Sequence, residues 1–183
     1  SNAEELQRLA RMVADMLLLA KTERGVDLPH KERFMAADEA QAVLDFYEAV
    51  ADERGIVPTL QGNGSIEGDR LMFRRALSNL LSNALRHVPA GGNVRVIMAD
   101  LPNGTEVSVE NTGDDIDPQV LTRLFDRFYR AEKSRSHPDS EGTGLGLSIT
   151  RAIMEAHGGS ASVASNDQAT TFCLSFPTRD ASS

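Results

Sequence analysis

The feature of the sequence that most constrains the fold is residues 69–89, a leucine-rich run that holds two asparagines four positions apart. On a helix that turns by about 100° per residue, the polar residues of the run share one face: Asn79, Asn83, Arg86 and His87. The apolar residues fall on a broad face turned away from it: Phe73, Leu77, Leu80, Leu81, Ala84 and Val88. The run therefore predicts an amphipathic helix with one face in a core. By itself it leaves open whether the polar face is a binding site or solvated surface.

The composition is that of an ordinary globular protein. The 183 residues are 40% hydrophobic and 25% charged, enough for one domain with an appended element. A net charge of −8 argues against a general nucleic-acid binder, although a local basic pocket for phosphate remains possible. With Cys173 as its single cysteine the chain cannot form an internal disulfide, which favours a reducing compartment. No apolar run reaches the ~20 residues of a membrane span, so we expect a cytoplasmic fragment.

The first helix is predicted over residues 4–23, with an apolar seam at three- and four-residue spacing: Leu6, Leu9, Val13, Met16 and Ala20. Met12 and residues 17–19 add apolar surface outside the seam, so we expect partners on two sides, as in a helix bundle. The alternative is a terminal helix docked on its own domain. Gly25 and Pro29 end this element.

The rest of the chain predicts a mixed α/β domain. We expect a strand over residues 32–36, a helix that Asp38 caps and that runs to Arg54, and a strand over 56–60. Asp69 caps the asparagine helix. Hairpins follow at 94–99 with 106–111 and at 160–164 with 170–176, and glycines 62, 64 and 68 mark turns. This order favours helices on one face of a mixed sheet over a doubly wound parallel sheet.

Three shorter stretches carry further chemical signals. Gly142, Gly144 and Gly146 alternate ahead of a helix that ends near His157, and glycine-flanked helix N-termini favour phosphate. Asn111 and Gly113 follow a strand, where an amide beside a glycine can bind a flat heterocycle. Residues 124–130 carry aromatics and arginines. The polar segment that follows, residues 131–141, is predicted to be mobile. Taken singly, these stretches also fit a hinge, a plain turn and a short core helix, respectively.

The order of these motifs resembles the catalytic and ATP-binding domain of bacterial sensor histidine kinases. An Asn-x-x-x-Asn helix, an Asn-x-Gly loop, a Leu-Phe-Asp-Arg-Phe segment and a Gly-Thr-Gly-Leu-Gly-Leu loop match the family's N box, first glycine box, F box and second glycine box. The resemblance covers residues 4–178. The amino-acid sequence at residues 45–47, 51–55, 77–87 and 109–113 is similar to that of the copper/heavy-metal sensor subgroup.

The resemblance implies a fold, a domain division and cofactors. The fold is the Bergerat ATP-binding fold, an α/β (α+β) two-layer sandwich with three helices over a mixed sheet, preceded by one helix of a dimerisation bundle. Residues 1–3 are typical of a cleaved-tag scar by their own sequence. After them the division is the second helix of the dimerisation and histidine-phosphotransfer domain at 4–24, a linker at 25–31, the catalytic domain at 32–178 and a tail at 179–183. The cofactors are ATP and Mg²⁺.

The resemblance also assigns roles by position. Asn83 matches the Mg²⁺ ligand, Asn79 the residue near the γ-phosphate, and Arg86 a phosphate contact; these three are the candidate catalytic residues. His87 matches the residue against the adenine, Asn111 the residue that binds the adenine amino group, and Gly113 the glycine that makes room for the base. The remaining candidate nucleotide-binding residues are Asp115, Ile116, Phe128, Arg130, Gly142, Thr143, Gly144, Leu145, Gly146 and Leu147. Residues 126–141 match the ATP lid, with Arg127, Arg130 and Lys133 as candidate phosphate contacts.

Two departures from the family pattern concern the first glycine box and the phosphoacceptor. The box normally reads Asp-x-Gly-x-Gly, whereas this chain has Asn111 for the aspartate and Asp115 for the second glycine. None of the four histidines, His30, His87, His137 and His157, has the setting of a phosphoacceptor. The accepting histidine is therefore expected upstream of residue 1.

The resemblance implies the ATP-binding part of a kinase that passes phosphate to a histidine and then to a response regulator. The parent protein is expected to be a homodimer through its helix bundle, to lie in the inner membrane and to sense heavy metals, without a nucleic-acid partner. Three alternatives remain. They are an ATPase of the DNA gyrase, heat-shock chaperone and MutL type, an anti-sigma serine kinase, and a degenerate module that only binds nucleotide or dimerises.

The missing phosphoacceptor gives a direct prediction. Incubation of this chain with γ-labelled ATP should leave no acid-labile label on the protein, because none of its histidines has the required setting. Clear acid-labile labelling would contradict this prediction.

Overall fold

The computed structural model describes residues 2–23, 28, 30–129 and 145–178. Helices and strands alternate irregularly along the chain. The helices are α1 (Asn2–Glu23), α2 (Ala36–Phe46), α3 (Glu48–Glu53), α4 (Arg70–His87), α5 (Pro118–Leu121) and α6 (Gly146–Ala156). The strands are β1 (Lys31–Met35), β2 (Thr59–Gly62), β3 (Ser65–Asp69), β4 (Val94–Leu101), β5 (Gly104–Thr112), β6 (Ser160–Asn166) and β7 (Ala169–Pro177).

The main sheet has five strands in the order β2-β4-β5-β7-β6. Strands β2 and β4 are parallel and the other neighbours are antiparallel. Alternate residues of β4 and β5 are buried, as their period of two predicts: Val94, Val96, Met98, Val107 and Val109. Both predicted hairpins are therefore confirmed. The other face of the sheet is more polar, and there Arg95 on β4 donates to Glu110 on β5 at 2.7 Å.

Helices α2, α4 and α6 cover one face of this sheet, which confirms the two-layer mixed α/β fold. The apolar face of α4 is almost completely removed from solvent, with Phe73, Leu77, Leu80, Leu81, Ala84 and Val88 at most 1% exposed. The helix begins as predicted, because the Asp69 carboxylate accepts a hydrogen bond from the Met72 backbone N–H at 3.0 Å. A second sheet pairs β1 with β3 in antiparallel register.

The predicted helix from Asp38 to Arg54 is wrong in its start and its continuity. The helix begins at Ala36, without a side-chain cap, and breaks at Tyr47 into α2 and α3. At the end of α2, Phe46 lies outside the core and is 79% exposed. The core side instead includes Glu39, whose carboxylate pairs with Arg70 and Arg74 of α4. The spacing of apolar residues does not predict a buried carboxylate, because its burial depends on two cationic partners from another helix.

Residues Ser65–Asp69 form strand β3, whereas the sequence predicts only a turn at Gly68. A Cβ on Gly68 would lie 2.2 Å from Cδ2 of His157, so the glycine makes room for the imidazole. The His157 ring joins two elements. Its Nε2 accepts from the Asp69 backbone N–H at 3.0 Å, and its Nδ1 donates to the Ile153 carbonyl at 2.8 Å.

Helix α1 packs against α6 through one face and leaves its predicted seam exposed. Leu19 is buried, Met12 and Leu18 are partly buried, and the Asp15 carboxylate pairs with Arg75 of α4. On the opposite side, four seam residues stay exposed: Leu6, Leu9, Val13 and Met16. The contact of α1 with its own domain thus provides a partner for one of its two apolar sides. The helix bundle expected on the other side stays a prediction. Among the described residues, no helix combines the length and apolarity of a membrane span.

The Asp15–Arg75 pair gives a pH-dependent prediction. Burial raises the pKa of Asp15 above its ordinary value of 3.8, against the opposing attraction of Arg75 and Arg11. Because the folded state then holds this proton more tightly than the unfolded state, the contribution of Asp15 to stability is greatest below pH 3.8. That contribution decreases as the pH rises through the raised pKa. Asp15→Asn should remove this decrease in urea denaturation series between pH 4 and 7.

Arg75→Ala serves as the opposite change. It leaves an ionised carboxylate without its main counter-charge, so the free energy of unfolding at pH 7 should fall by about 0.5–1 kcal/mol. If Asp15→Asn is less stable than Arg75→Ala at pH 7, the assignment of burial as the dominant effect on Asp15 is contradicted.

Candidate nucleotide-binding site

The polar face of α4 lies beside the start of α6. Asn79 and Asn83 are half-buried, and Arg86 and His87 are exposed near the helix C-terminus. The Asn79 side-chain amide donates to the Gly146 carbonyl at 3.0 Å and lies 3.4 Å from the Thr150 hydroxyl. Asn79 therefore fixes the first turn of α6 against α4.

Asn83 lies one turn further along α4 and differs from Asn79 in its contacts. Its side chain forms no hydrogen bond with another residue in the described part of the chain. An unpaired amide that is half-buried keeps both its oxygen and its nitrogen available to a ligand.

The N-terminus of α6 offers backbone donors to the same region. Leu145 precedes the helix with its side chain fully buried, and no side chain of the described residues caps the first turn. The first N–H groups of a helix have no partner within it, and they carry a partial positive charge. Such a helix start is suited to bind an anion, phosphate included.

The C-terminal end of β5 forms the other side of the region. Asn111 is only 4% exposed, and its side-chain amide nitrogen donates to the Thr112 carbonyl at 3.0 Å, which leaves the amide oxygen as an acceptor. A Cβ on Gly113 would lie 3.6 Å from that nitrogen and 3.9 Å from the His87 carbonyl oxygen. The ends of β5 and α4 therefore adjoin at Gly113.

The loop after Gly113 is bound to the β6–β7 turn. The Gln168 carbonyl accepts from the Gly113 backbone N–H at 2.9 Å, and the Gln168 N–H donates to Asp115 Oδ1 at 2.8 Å. One residue further, the Ile116 N–H donates to the Ser165 hydroxyl at 2.8 Å. Asp115 and Ile116 thus hold the loop in place, and their predicted contact with nucleotide stays a prediction.

The aromatic segment at residues 124–129 is partly core and partly exposed. Phe125 is a core aromatic whose ring packs edge-on against Phe172, with centroids 5.9 Å apart. Phe128 is 52% exposed and has a φ of +61°, which is strained for a bulky residue. Tyr129 lies beneath the Arg123 guanidinium, 4.5 Å from the ring centroid.

Several predicted site residues lie outside the described residues: Arg130, Lys133, Gly142, Thr143 and Gly144. Of the second glycine box, the structure describes Leu145, Gly146 and Leu147. Of the predicted lid it describes residues 126–129.

Comparison with known proteins decides the family. Residues 68–180 match the family model of the histidine kinase-, DNA gyrase B-, and HSP90-like ATPases. Sensor histidine kinase CusS of Escherichia coli O157:H7 is 46% identical over 180 residues, which are 98% of this chain and 37% of CusS. The chain belongs to the sensor histidine kinases. The probable sensor protein PcoS of Escherichia coli is 45% identical over 159 residues, 87% of this chain and 34% of PcoS.

Solved structures of histidine kinases share this fold. Acinetobacter baumannii histidine kinase AdeS superposes with a TM-score of 0.80 at 22% identity, over 97% of this chain and 82% of that one. Histidine kinase ThkA in complex with response regulator protein TrrA gives a TM-score of 0.73 at 22% identity, over 96% of this chain and 48% of that one. These structures confirm the fold, whereas the family and the subgroup that the motifs indicated are confirmed by the family model and by the relatives of 46% and 45% identity. This sensor histidine kinase chain spans little more than a third of the length of CusS.

Sequence reasoning missed residues that hold the site in place. Thr150 lies four residues after Gly146, so the helical period of α6 could have placed it beside Asn79. Gln168 and Ser165 lie in the last hairpin and reach the loop after β5 only through the tertiary fold. Arg54 likewise donates to the Val88 carbonyl at 2.6 Å and fixes the C-terminal end of α4.

One groove among the described residues lies away from the predicted site. A groove of about 370 Å³ lies at the opposite end of β5, among residues 101–106, 158–160 and 175–177. None of the predicted site residues lines it. Within the described residues no three His, Cys, Asp or Glu side chains are grouped to hold a metal ion.

The different contacts of the two asparagines give a matched prediction. Both Asn79→Ala and Asn83→Ala gain the same helix propensity, but only the first loses hydrogen bonds to α6. Asn79→Ala should therefore be about 1 kcal/mol less stable than Asn83→Ala in urea denaturation. Equal stability of the two variants would contradict the role of Asn79 as the link between α4 and α6.

Proposed function

We propose that this chain binds ATP with Mg²⁺ at the surface formed by α4, the loop after β5 and the start of α6, as the catalytic part of a protein-histidine kinase. One observation carries the proposal: the Asn111–Gly113 loop and the N-terminus of α6 both adjoin the face of α4 that carries Asn83. Gly113 lies beside the His87 carbonyl, and the Gly146 carbonyl accepts from the Asn79 side chain. The described contacts tie all three to the core. The surface is therefore preorganised.

The amide of Asn83 fits Mg²⁺. Mg²⁺ prefers oxygen ligands, keeps several waters and is commonly held by one or two protein oxygens together with substrate phosphates. A half-buried amide oxygen without a partner in the described chain provides such a ligand. Asn83 would thus hold the metal without the cluster of carboxylates that a protein-only cage requires.

The ends of β5 and α4 fit a purine, and the start of α6 fits its phosphates. The buried Asn111 oxygen can accept from an adenine amino group, and Gly113 leaves the space beside it free of a side chain. Backbone N–H groups of residues 146–148 and the exposed Arg86 supply positive charge for phosphate.

The chain's own contribution to phosphoryl transfer is positioning and charge stabilisation, which dominate this chemistry. Bound ATP·Mg²⁺ supplies the γ-phosphoryl group. A histidine nitrogen, which the sequence places outside this chain, would form the new P–N bond as the bond to the bridging β–γ oxygen breaks and ADP leaves. Asn79 cannot accept a proton from water, because its amide nitrogen donates to Gly146 and an amide is not a base. This disfavours an ATPase that activates water.

The activity of the whole protein extends this proposal. We propose a response regulator as phosphate acceptor, which the solved ThkA–TrrA complex supports by analogy of fold. The exposed seam of α1 would pack against the helix bundle of a homodimer, and residues 25–31 would link it to the catalytic domain. For the whole protein we also propose membrane attachment and heavy-metal sensing, by analogy with the sensor kinases that this chain resembles.

Calorimetric titration with ATP and Mg²⁺ tests the binding proposal. The wild type should bind, removal of Mg²⁺ with EDTA should weaken binding, and Asn83→Ala should bind ATP at least about tenfold more weakly, as loss of about 1.4 kcal/mol implies. Asn103→Ala, an exposed asparagine in the β4–β5 turn, is the control and should bind as the wild type does. Binding that is indifferent to both Mg²⁺ and Asn83 would overturn the metal assignment, and no binding by the wild type would overturn the proposed function.

A further inference from the structure

The β6–β7 turn has a glutamine where its backbone geometry favours glycine. Asn166 pairs with Ala169, and the two residues between them, Asp167 and Gln168, have φ values of +51° and +59°. Two left-handed residues make a type I′ turn, which normally uses Asn-Gly because other side chains are strained there. Gln168 is unfavourable at this position by local preference, so other contacts must stabilise the turn.

Those contacts come from the loop after β5. Both backbone groups of Gln168 are used: its carbonyl accepts from Gly113 at 2.9 Å, and its N–H donates to Asp115 Oδ1 at 2.8 Å. The Ser165 hydroxyl, 3.2 Å from the Thr170 hydroxyl across the hairpin, accepts from Ile116 at 2.8 Å. Three successive bonds therefore bind residues 113–116 to the hairpin.

The same loop is held from its other side. The Thr112 N–H donates to the Asn93 carbonyl at 3.0 Å, and the Thr112 hydroxyl accepts from the Asn93 N–H at 3.1 Å. Gly113 then lies beside the His87 carbonyl at the end of α4. The segment with Asn111 and Gly113 is thus fixed between the start of β4 and the β6–β7 turn.

We infer that Asp115 is a positioning residue for nucleotide binding: by accepting from the Gln168 N–H it fixes the loop that places Asn111 and Gly113 against the base. The inference rests on the proposed function. Asp115 stands where the resembled family has a glycine, which has no side chain to accept this bond. Relative to the family pattern, Asp115 therefore replaces the backbone flexibility of glycine with a charge-assisted hydrogen bond to the neighbouring hairpin.

The test compares Asp115→Gly with Asp115→Asn. Asparagine can accept from Gln168 through its amide oxygen, so Asp115→Asn should bind ATP·Mg²⁺ within about twofold of wild type. Glycine cannot, so the dissociation constant should rise about five- to tenfold, the scale of one lost hydrogen bond. The ATP-to-GTP preference should fall with it, because the loss concerns the base and not the phosphates. Hydrogen exchange at the Gly113 and Gln168 amides should accelerate only in Asp115→Gly.

Each other outcome overturns the inference. If Asp115→Gly binds as tightly as wild type or more tightly, the residue does not position the base loop; if Asp115→Asn is as weak as Asp115→Gly, the charge matters and the hydrogen bond does not. Should Asp115→Gly fail to fold, Ser165→Ala, which removes the Ile116 bond, must show a smaller loss of the same base preference, and unchanged binding contradicts the inference. A wild type that binds no ATP contradicts the proposed function first, which calorimetry on wild type alone reveals.

Discussion

Burial of one complete face of α4 is the constraint on which the rest of the structure depends. With its apolar side chains almost inaccessible, the helix cannot rotate, and its asparagines have to face away from the core. Both ends are fixed as well: Asp69 caps the first turn, and Arg54 binds the Val88 carbonyl after the last one. The Asn79 side chain then bonds to the Gly146 carbonyl at the start of α6, so one buried helix positions both the Asn83 amide and a helix N-terminus.

The sequence predicted this fold best where periodicity alone determines structure. The two faces of α4 and the alternating core residues of β4 and β5 follow from periods of 3.6 and 2. Prediction failed where the burial of a polar residue, or the place of a glycine in a strand, depends on a partner that is distant in the sequence. Glu39 is buried because Arg70 and Arg74 neutralise it, and Gly68 lies in a strand because the His157 imidazole fills the space of its side chain.

The candidate site shows the same division. Motifs placed Asn83, Asn111 and Gly113 on the elements that the structure brings together. The hydrogen bonds that hold these residues in place could not be predicted from local sequence. The Asn79–Gly146 bond joins residues 67 positions apart, and the Asp115–Gln168 bond joins residues 53 positions apart. At Asp115 the chain therefore replaces the family's glycine with a side chain that bonds to the β6–β7 turn. This bond fixes the path of the loop after β5.

A ¹H–¹⁵N titration can show whether ATP·Mg²⁺ binds at this face of α4 or at another surface, because each side-chain amide gives its own signal. We expect the largest shifts at the Asn83 and Asn111 side-chain amides and at the Gly113 and Gly146 backbone amides. Shifts confined to the groove around Gly104, Thr105 and Phe176, or shifts that leave the Asn83 amide unchanged, would contradict binding at this face.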